Sequence, residues 1–325
     1  MNFVAIGIGA GLASALLIAA VTQGTALALA LFMLSPVPII VAALGWDHRA
    51  GLVATLVGGI AIAVLSTPLS GLSFAFATGL PSWWLAYLAL LGRTREDGTV
   101  EWYPLGRLLA WIGGTAALTF FAAAIFPDFD FEQYRQTARD AAEAVVRMQA
   151  GIPASAPLTD IGEVPVEEVI SRIAAITPII GTVGFTFVML LYIWIGARIV
   201  SASGRLARPW PAICEAVMPR ETIFILVGAT VAGMALGGFP GVLAYALVGG
   251  LLTAFGIQGL GAIHDLSRGR AGRGFIVALT YIVLFLSQGI ALIPLIFFGL
   301  VDSAFGLRER MRAGAGGRNG PNPFS

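Results

Sequence analysis

Apolar and polar positions alternate along this chain on the scale of whole helices. Long apolar runs fall at 3–22, 26–45, 51–66, 72–91 and 106–126, and again at 178–197, 221–238, 241–263 and 274–301. A helix needs about 20 apolar residues to cross a bilayer, so each run predicts a membrane span. The stretch between the two blocks, 127–177, has a different pattern and holds nine of the 18 acidic residues and four of the 19 basic ones. Within it Phe131, Tyr134, Ala138, Ala141, Val145 and Met148 recur at steps of three and four, the mark of one helical face. Pro153, Pro157, Gly162 and Pro165 then predict a turn. Val166, Val169, Ile170, Ile173 and Ile176 make a second apolar stripe that leads into the sixth run. The predicted fold class is all-α: a polytopic transmembrane helix bundle of eight or nine spans with an extracytoplasmic amphipathic helical hairpin. Its divisions are an N-terminal membrane block at 1–126, the acidic segment at 127–177, a C-terminal membrane block at 178–306 and a basic tail at 307–325. The Gly/Pro/Asn-rich end from Gly314 onward has the composition of a disordered segment.

Composition supports the bilayer reading. Hydrophobic residues make up 58% of the 325 positions and charged residues only 11%, against roughly a quarter in soluble proteins. Each charge at the membrane centre costs about 2.5–3.5 kcal/mol on insertion scales. The net charge of +1 conceals a split, with the acidic segment at −5 and the remainder at +6. Arginines gather in the short connections around Arg49, at Arg93, Arg95 and Arg107, at Arg198–Arg220 and at Arg268–Arg273. Alternating spans put these connections on one side, which the positive-inside rule makes the cytoplasm. The uncharged connections and the acidic segment then lie outside. The tail, with Arg308, Arg310, Arg312 and Arg318, also belongs inside. A single ninth span would send it out, so the 274–301 run is expected to break or re-enter near Gln288–Gly289 or Pro294. The N-terminal run has no basic n-region and reads as a first span. A lone cysteine, Cys214, excludes an internal disulfide framework.

Candidate chemistry is sparse. Gly7, Gly11, Ala15 and Ala19 form a flat stripe on the first span, suited to close packing against another helix or to a membrane partner subunit. Gln23, Gln258 and Gln288 are the polar groups expected to make contacts within the bundle, with Tyr281 and Ser287 near them. Pro36 and Pro38 predict a kink or break in the second span. The two histidines each sit beside an aspartate, in Asp47–His48 and His264–Asp265, and read as helix-end caps. Charges well inside a span are absent from the pattern, which argues against a proton- or sodium-coupled pump of the usual kind. No nucleotide-binding, metalloprotease or serine-hydrolase motif occurs. The reading is therefore non-enzymatic, with no catalytic residue, cofactor or metal site and no nucleic-acid partner.

Three stretches carry a family likeness. Leu34-Ser-Pro-Val-Pro-Ile-Ile with Gly45 and Gly51, Gly256-Ile-Gln-Gly-Leu-Gly, and Gly299-Leu-Val-Asp302 through Gly306-Leu-Arg308-Glu-Arg310 resemble segments of YybS-like bacterial membrane proteins. That family is distantly similar to the substrate-binding S components of energy-coupling-factor transporters. The resemblance implies a multi-pass protein of the bacterial inner membrane. It further implies a solute-binding or membrane subunit of a transport assembly without its own ATPase. The alternative is a membrane scaffold for envelope or division machinery, docking through the acidic segment.

Overall fold

The structure, a computed structural model, describes residues 2–125, 130–158 and 164–316. It is an all-α helical membrane protein, and among the described residues six helical stretches are long and apolar enough to cross a membrane. The first is α1 (Phe3–Ala19) with a 3-10 turn to Gln23. The second span breaks as its prolines predict: α2 (Ala26–Met33) stops, Leu34–Pro36 forms a turn, and α3 (Val37–Gly45) restarts with Pro38 in its first turn. There the missing N–H costs nothing. α4 (His48–Leu65) returns, with the Asp47 carboxylate accepting from the Arg49 N–H at 2.7 Å as its cap.

The uncharged connection at 67–71 is shorter than its sequence suggests. Thr67 caps the next helix at once, accepting from the Ser70 N–H at 3.1 Å, and Pro68 is already helical. α5 (Pro68–Phe74) passes through a π-turn at Ala75–Gly79 into α6 (Leu80–Ala89). A small antiparallel hairpin that the helical pattern does not announce follows, β1 (Gly92–Thr94) against β2 (Val100–Trp102). Gly98 at φ 80° makes its turn, and Arg95 and Glu101 pair across it at 3.2 Å. α7 (Leu105–Ile125) closes the first block.

α8 (Phe131–Ala150) and the start of α9 (Val166–Ala202) form the hairpin, joined through Ala142, Val146 and Ile170. The buried face of α8 is Ala138, Ala142 and Val146, not the full stripe of larger residues expected from the sequence: Val145 is 38% exposed and Met148 76%. Small residues win because α9 lies close. The expected turn is described only as far as Leu158 and from Val164, and Gly162 lies outside the described residues. Helix α9 runs unbroken through position 177, with Pro178 inside it. Its 37 residues measure about 55 Å, well beyond the roughly 30 Å of a hydrocarbon core.

α10 (Glu221–Ala235) and α11 (Gly238–Leu266) follow, and α11 is the hub of the bundle. Two glycine pairs let its neighbours touch it backbone to backbone. A β-carbon at Gly250 would collide with the Gly113 carbonyl on α7, and one at Gly259 with the Leu295 carbonyl beside Gly299. The last apolar run is not one span. α12 (Arg273–Leu286) ends at a turn in which Gln288 takes φ 50° and Gly289 φ 92°, and α13 (Leu292–Phe305) leads away from it. Gly256 faces Leu292, Gly259 faces Leu295 and Gly299, and Gln258 bonds Asp302, so α13 runs parallel to α11. Tyr281 of α12 meets His264 at the end of α11, at 3.1 Å. The chain thus goes inward along α12 and comes back along α13, and α12 buries none of its residues. α14 (Leu307–Gly316) begins the tail, and residues 317–325 lie outside the described ones.

Candidate functional site

The sequence candidates scatter. Gly7 and Gly11 press on the Ala50 and Ala54 carbonyls of α4, and Ala15 is buried with them, so the flat stripe is taken up inside the chain, while Ala19 is exposed. Of the three glutamines only Gln258 sits within the bundle. Gln23 lies exposed at the end of the first span, and Gln288 is exposed at the α12–α13 turn. His48 leans on Tyr87 while His264 meets Tyr281. Among the described residues no three His, Cys, Asp or Glu side chains gather as metal ligands would.

The second-span break, by contrast, builds a cavity. Ending α2 at Met33 frees backbone carbonyls, and the Ser14 hydroxyl of α1 donates to one of them, that of Ser35. The gap opened by the break faces the π-turn, whose extra residue widens the wall across from it. Helix α9 supplies the third side with Gly181 and Gly184, where the lack of side chains leaves room. The half-open cavity has a volume of about 490 Å³. Its walls are apolar, with Phe32, Met33, Ile40, Phe185 and Met189 prominent, and among the described residues no charged side chain lines it. Four hydroxyls do: those of Ser35, Thr78, Ser82 and Tyr192. None of the four has a hydrogen-bond partner among the described residues. An apolar chamber of this size with a few convergent polar groups has the make-up of a small-molecule site. Burying an unpaired charge there would be prohibitive, whereas a neutral hydroxyl or carbonyl finds partners.

A comparison with protein families sets this geometry in context. Residues 11–303 match the family of predicted membrane proteins known as DUF2232. The chain belongs to the DUF2232 family. No curated protein and no solved structure matches it. All the residues lining the cavity lie in the matched stretch.

This DUF2232 chain also holds a polar cluster that the sequence reading passed over. The Asp302 carboxylate at the end of α13 pairs with the Arg308 guanidinium at 2.7 Å, with both side chains at most 5% exposed. Gln258 Nε2 donates to Asp302 Oδ2 at 2.7 Å, and the Ser303 hydroxyl donates to Gln258 Oε1 at 2.9 Å. Arg308 also donates to the Cys214 carbonyl at 2.7 Å and to that of Ala216 at 2.6 Å. The Met218 N–H donates to Gln258 Oε1 at 2.8 Å. The donors and acceptors close on one another, which makes the cluster a lock between the 203–220 loop and the α13–α14 corner. The same loop is held at its other end by buried Arg208, which donates to the Ala89 carbonyl at the close of α6 at 3.0 Å. Two of the three stretches quoted above for a family likeness thus meet here, Gly256–Gly261 and Gly299–Arg310. Their partners, Cys214 to Met218, lie some forty to ninety residues away in the chain, and no periodicity signals such a meeting.

Proposed function

We propose that this DUF2232 protein is a solute-binding membrane subunit of a transport assembly, working in a bacterial inner membrane with a separate partner that supplies energy. The observation that carries this reading is the uncharged cavity of about 490 Å³ beside a helix break, lined by four hydroxyls without a hydrogen-bond partner among the described residues. Its solute is small and neutral, with an apolar body and one or a few hydroxyl or carbonyl groups. The role is binding, not catalysis, because the cavity offers no acid, base or nucleophile with an activating neighbour. The arginine-rich loops, with the locked tail beside them, face the cytoplasm, and the α8–α9 hairpin faces outward.

The test is to purify the protein in mild detergent, extract it and identify small molecules by mass spectrometry. Gly184 projects into open space, so Gly184→Trp fills the chamber without a clash. A neutral molecule recovered from the natural protein and lost in the filled variant supports the reading. Equal recovery from both, or none from either, overturns it. A docking role for the hairpin has one observation behind it, the exposed Met148 on its outer face. Co-purification separates the two, since an ATPase-containing complex supports transport and an envelope or division protein supports scaffolding.

A further inference from the structure

Two smaller cavities lie between the hairpin and the bundle, on either side of α8. One, of about 320 Å³, is walled by Phe131, Tyr134, Pro178 and the α10–α11 turn. The other, of about 240 Å³, is walled by Phe120, Tyr134, Thr177 and Phe185. Tyr134 and Ala138 belong to both, so a turn of α8 divides them, with Thr177 and Pro178 of α9 on its two sides. Phe185 belongs both to the second cavity and to the membrane chamber described above. The three half-open spaces are therefore neighbours in a row, with Tyr134 and Phe185 as the partitions they share.

Each partition has a feature of its own. The Tyr134 hydroxyl is shielded from solvent and has no hydrogen-bond partner among the described residues. A buried hydroxyl left unsatisfied is costly, so a ligand with an acceptor group would be welcomed there. The ring of Phe185 meets that of Phe120 edge to face, with centroids 6.3 Å apart. The Phe120 ring in turn closes over Gly181. Aromatic rings on two different helices can part by rotating about χ1, without moving backbone. The arginines at the first cavity are both engaged, Arg135 with Glu132 at 3.0 Å and Arg139 with Glu167. The charge at the first cavity is compensated, and the second has a single carboxylate, Asp130, which caps α8 by accepting from the Glu132 N–H at 2.8 Å.

We infer that the spaces under α8 are an antechamber through which the neutral solute reaches the membrane chamber from the hairpin side, with Tyr134 as its hydrogen-bonding stop and the Phe120–Phe185 pair as the gate. This rests on the chamber being the binding site. It adds the direction of access and a job for the hairpin.

The experiment uses the full chain in lipid nanodiscs, with Cys214→Ser to remove the one native thiol and Gly184→Cys placed in the chamber. The probe is N-ethylmaleimide, which is neutral. Gly228 on α10 also meets open space, so Gly228→Cys in the same background reports labelling from lipid. Phe185→Trp and, separately, Phe120→Trp are expected to slow labelling of Gly184→Cys about tenfold, an added barrier of about 1.4 kcal/mol. Phe185→Ala is expected to speed it, and Gly228→Cys should be indifferent to all three. Labelling of Gly184→Cys that ignores every gate variant means that the probe arrives through lipid or from the arginine-rich face. The route then falls, while the chamber as a binding site stands. No labelling in any background, Phe185→Ala included, overturns the route and the chamber together.

Discussion

Arg308→Met should be among the most damaging single changes outside the helix crossings. Methionine keeps much of the aliphatic stem and removes the guanidinium. Three things are lost with it: the pairing to Asp302 at 2.7 Å and the bonds to the Cys214 and Ala216 carbonyls at 2.7 and 2.6 Å. Removing one partner of a buried ion pair costs about 3–5 kcal/mol, because the other charge stays buried without compensation. The two carbonyls would each add about 1 kcal/mol if nothing replaced their donors. These terms overlap, so the expected loss is about 4 kcal/mol, close to three decades in the folded-to-unfolded ratio. Asp302→Asn should cost a similar amount by stranding the guanidinium. The double variant should be no worse than either single one, since no net charge is left behind. Equilibrium unfolding in detergent, monitored by tryptophan fluorescence, gives the three values and their coupling. Single losses below about 1 kcal/mol that simply add in the double variant would refute the reasoning, because that is how a water-screened pair behaves.

Further outcomes follow from other parts of the fold. Burial raises the Tyr134 hydroxyl to about 12 from its usual value of 10. The unfolded chain therefore loses this proton first as pH rises, and stability should fall from pH 10 towards 12, a slope that Tyr134→Phe should flatten in alkaline melting curves. Gly259→Leu should prevent assembly, because α13 backbone occupies the space of its side chain, whereas Gly228→Leu should give a monodisperse protein by size-exclusion chromatography. Reporter fusions after Arg208 and after Arg312 should report the same side of the membrane, because Arg308 is bonded directly to the 203–220 loop. Opposite readings would break the re-entrant path of α12 and α13.

How much of this could be read in advance depended on the kind of signal. Apolar runs mark helices in lipid because every backbone group there must be satisfied within its own segment, and α1, α4, α7 and α11 lie close to where the runs put them. Pro36 and Gly289 marked real breaks because they act on their own backbone. The face of α8 was misjudged at Val145 and Met148, since a stripe of large residues is a poor guide where the neighbour comes close enough to select alanine. The three glutamines look equivalent in the sequence, and only tertiary contact separates buried Gln258 from exposed Gln23 and Gln288. Gly58 looks like an unremarked residue of the third run, yet it lies against Gly11 across the α1–α4 contact. The chamber was invisible because its four hydroxyls come from three separate stretches. The Pro36–Pro38 break was the one local signal that could have led to it.

The continuous α9 ties the hairpin to the bundle. Its inner end is pinned where Gly196 meets Ile40 and Val200 meets Gly45. Its outer end, at Ile170, is gripped by α8. The arm between Gly196 and Ile170 is about 39 Å long, and the stretch from Gly196 to Phe185 about 16 Å. Between these ends α9 is held as well, where the Ile179 backbone lies over Gly249 of α11 and the Phe120 ring of α7 over Gly181. A pull on the hairpin is therefore taken up first by α7 and α11, and the wall of the chamber at Phe185 lies beyond those two holds.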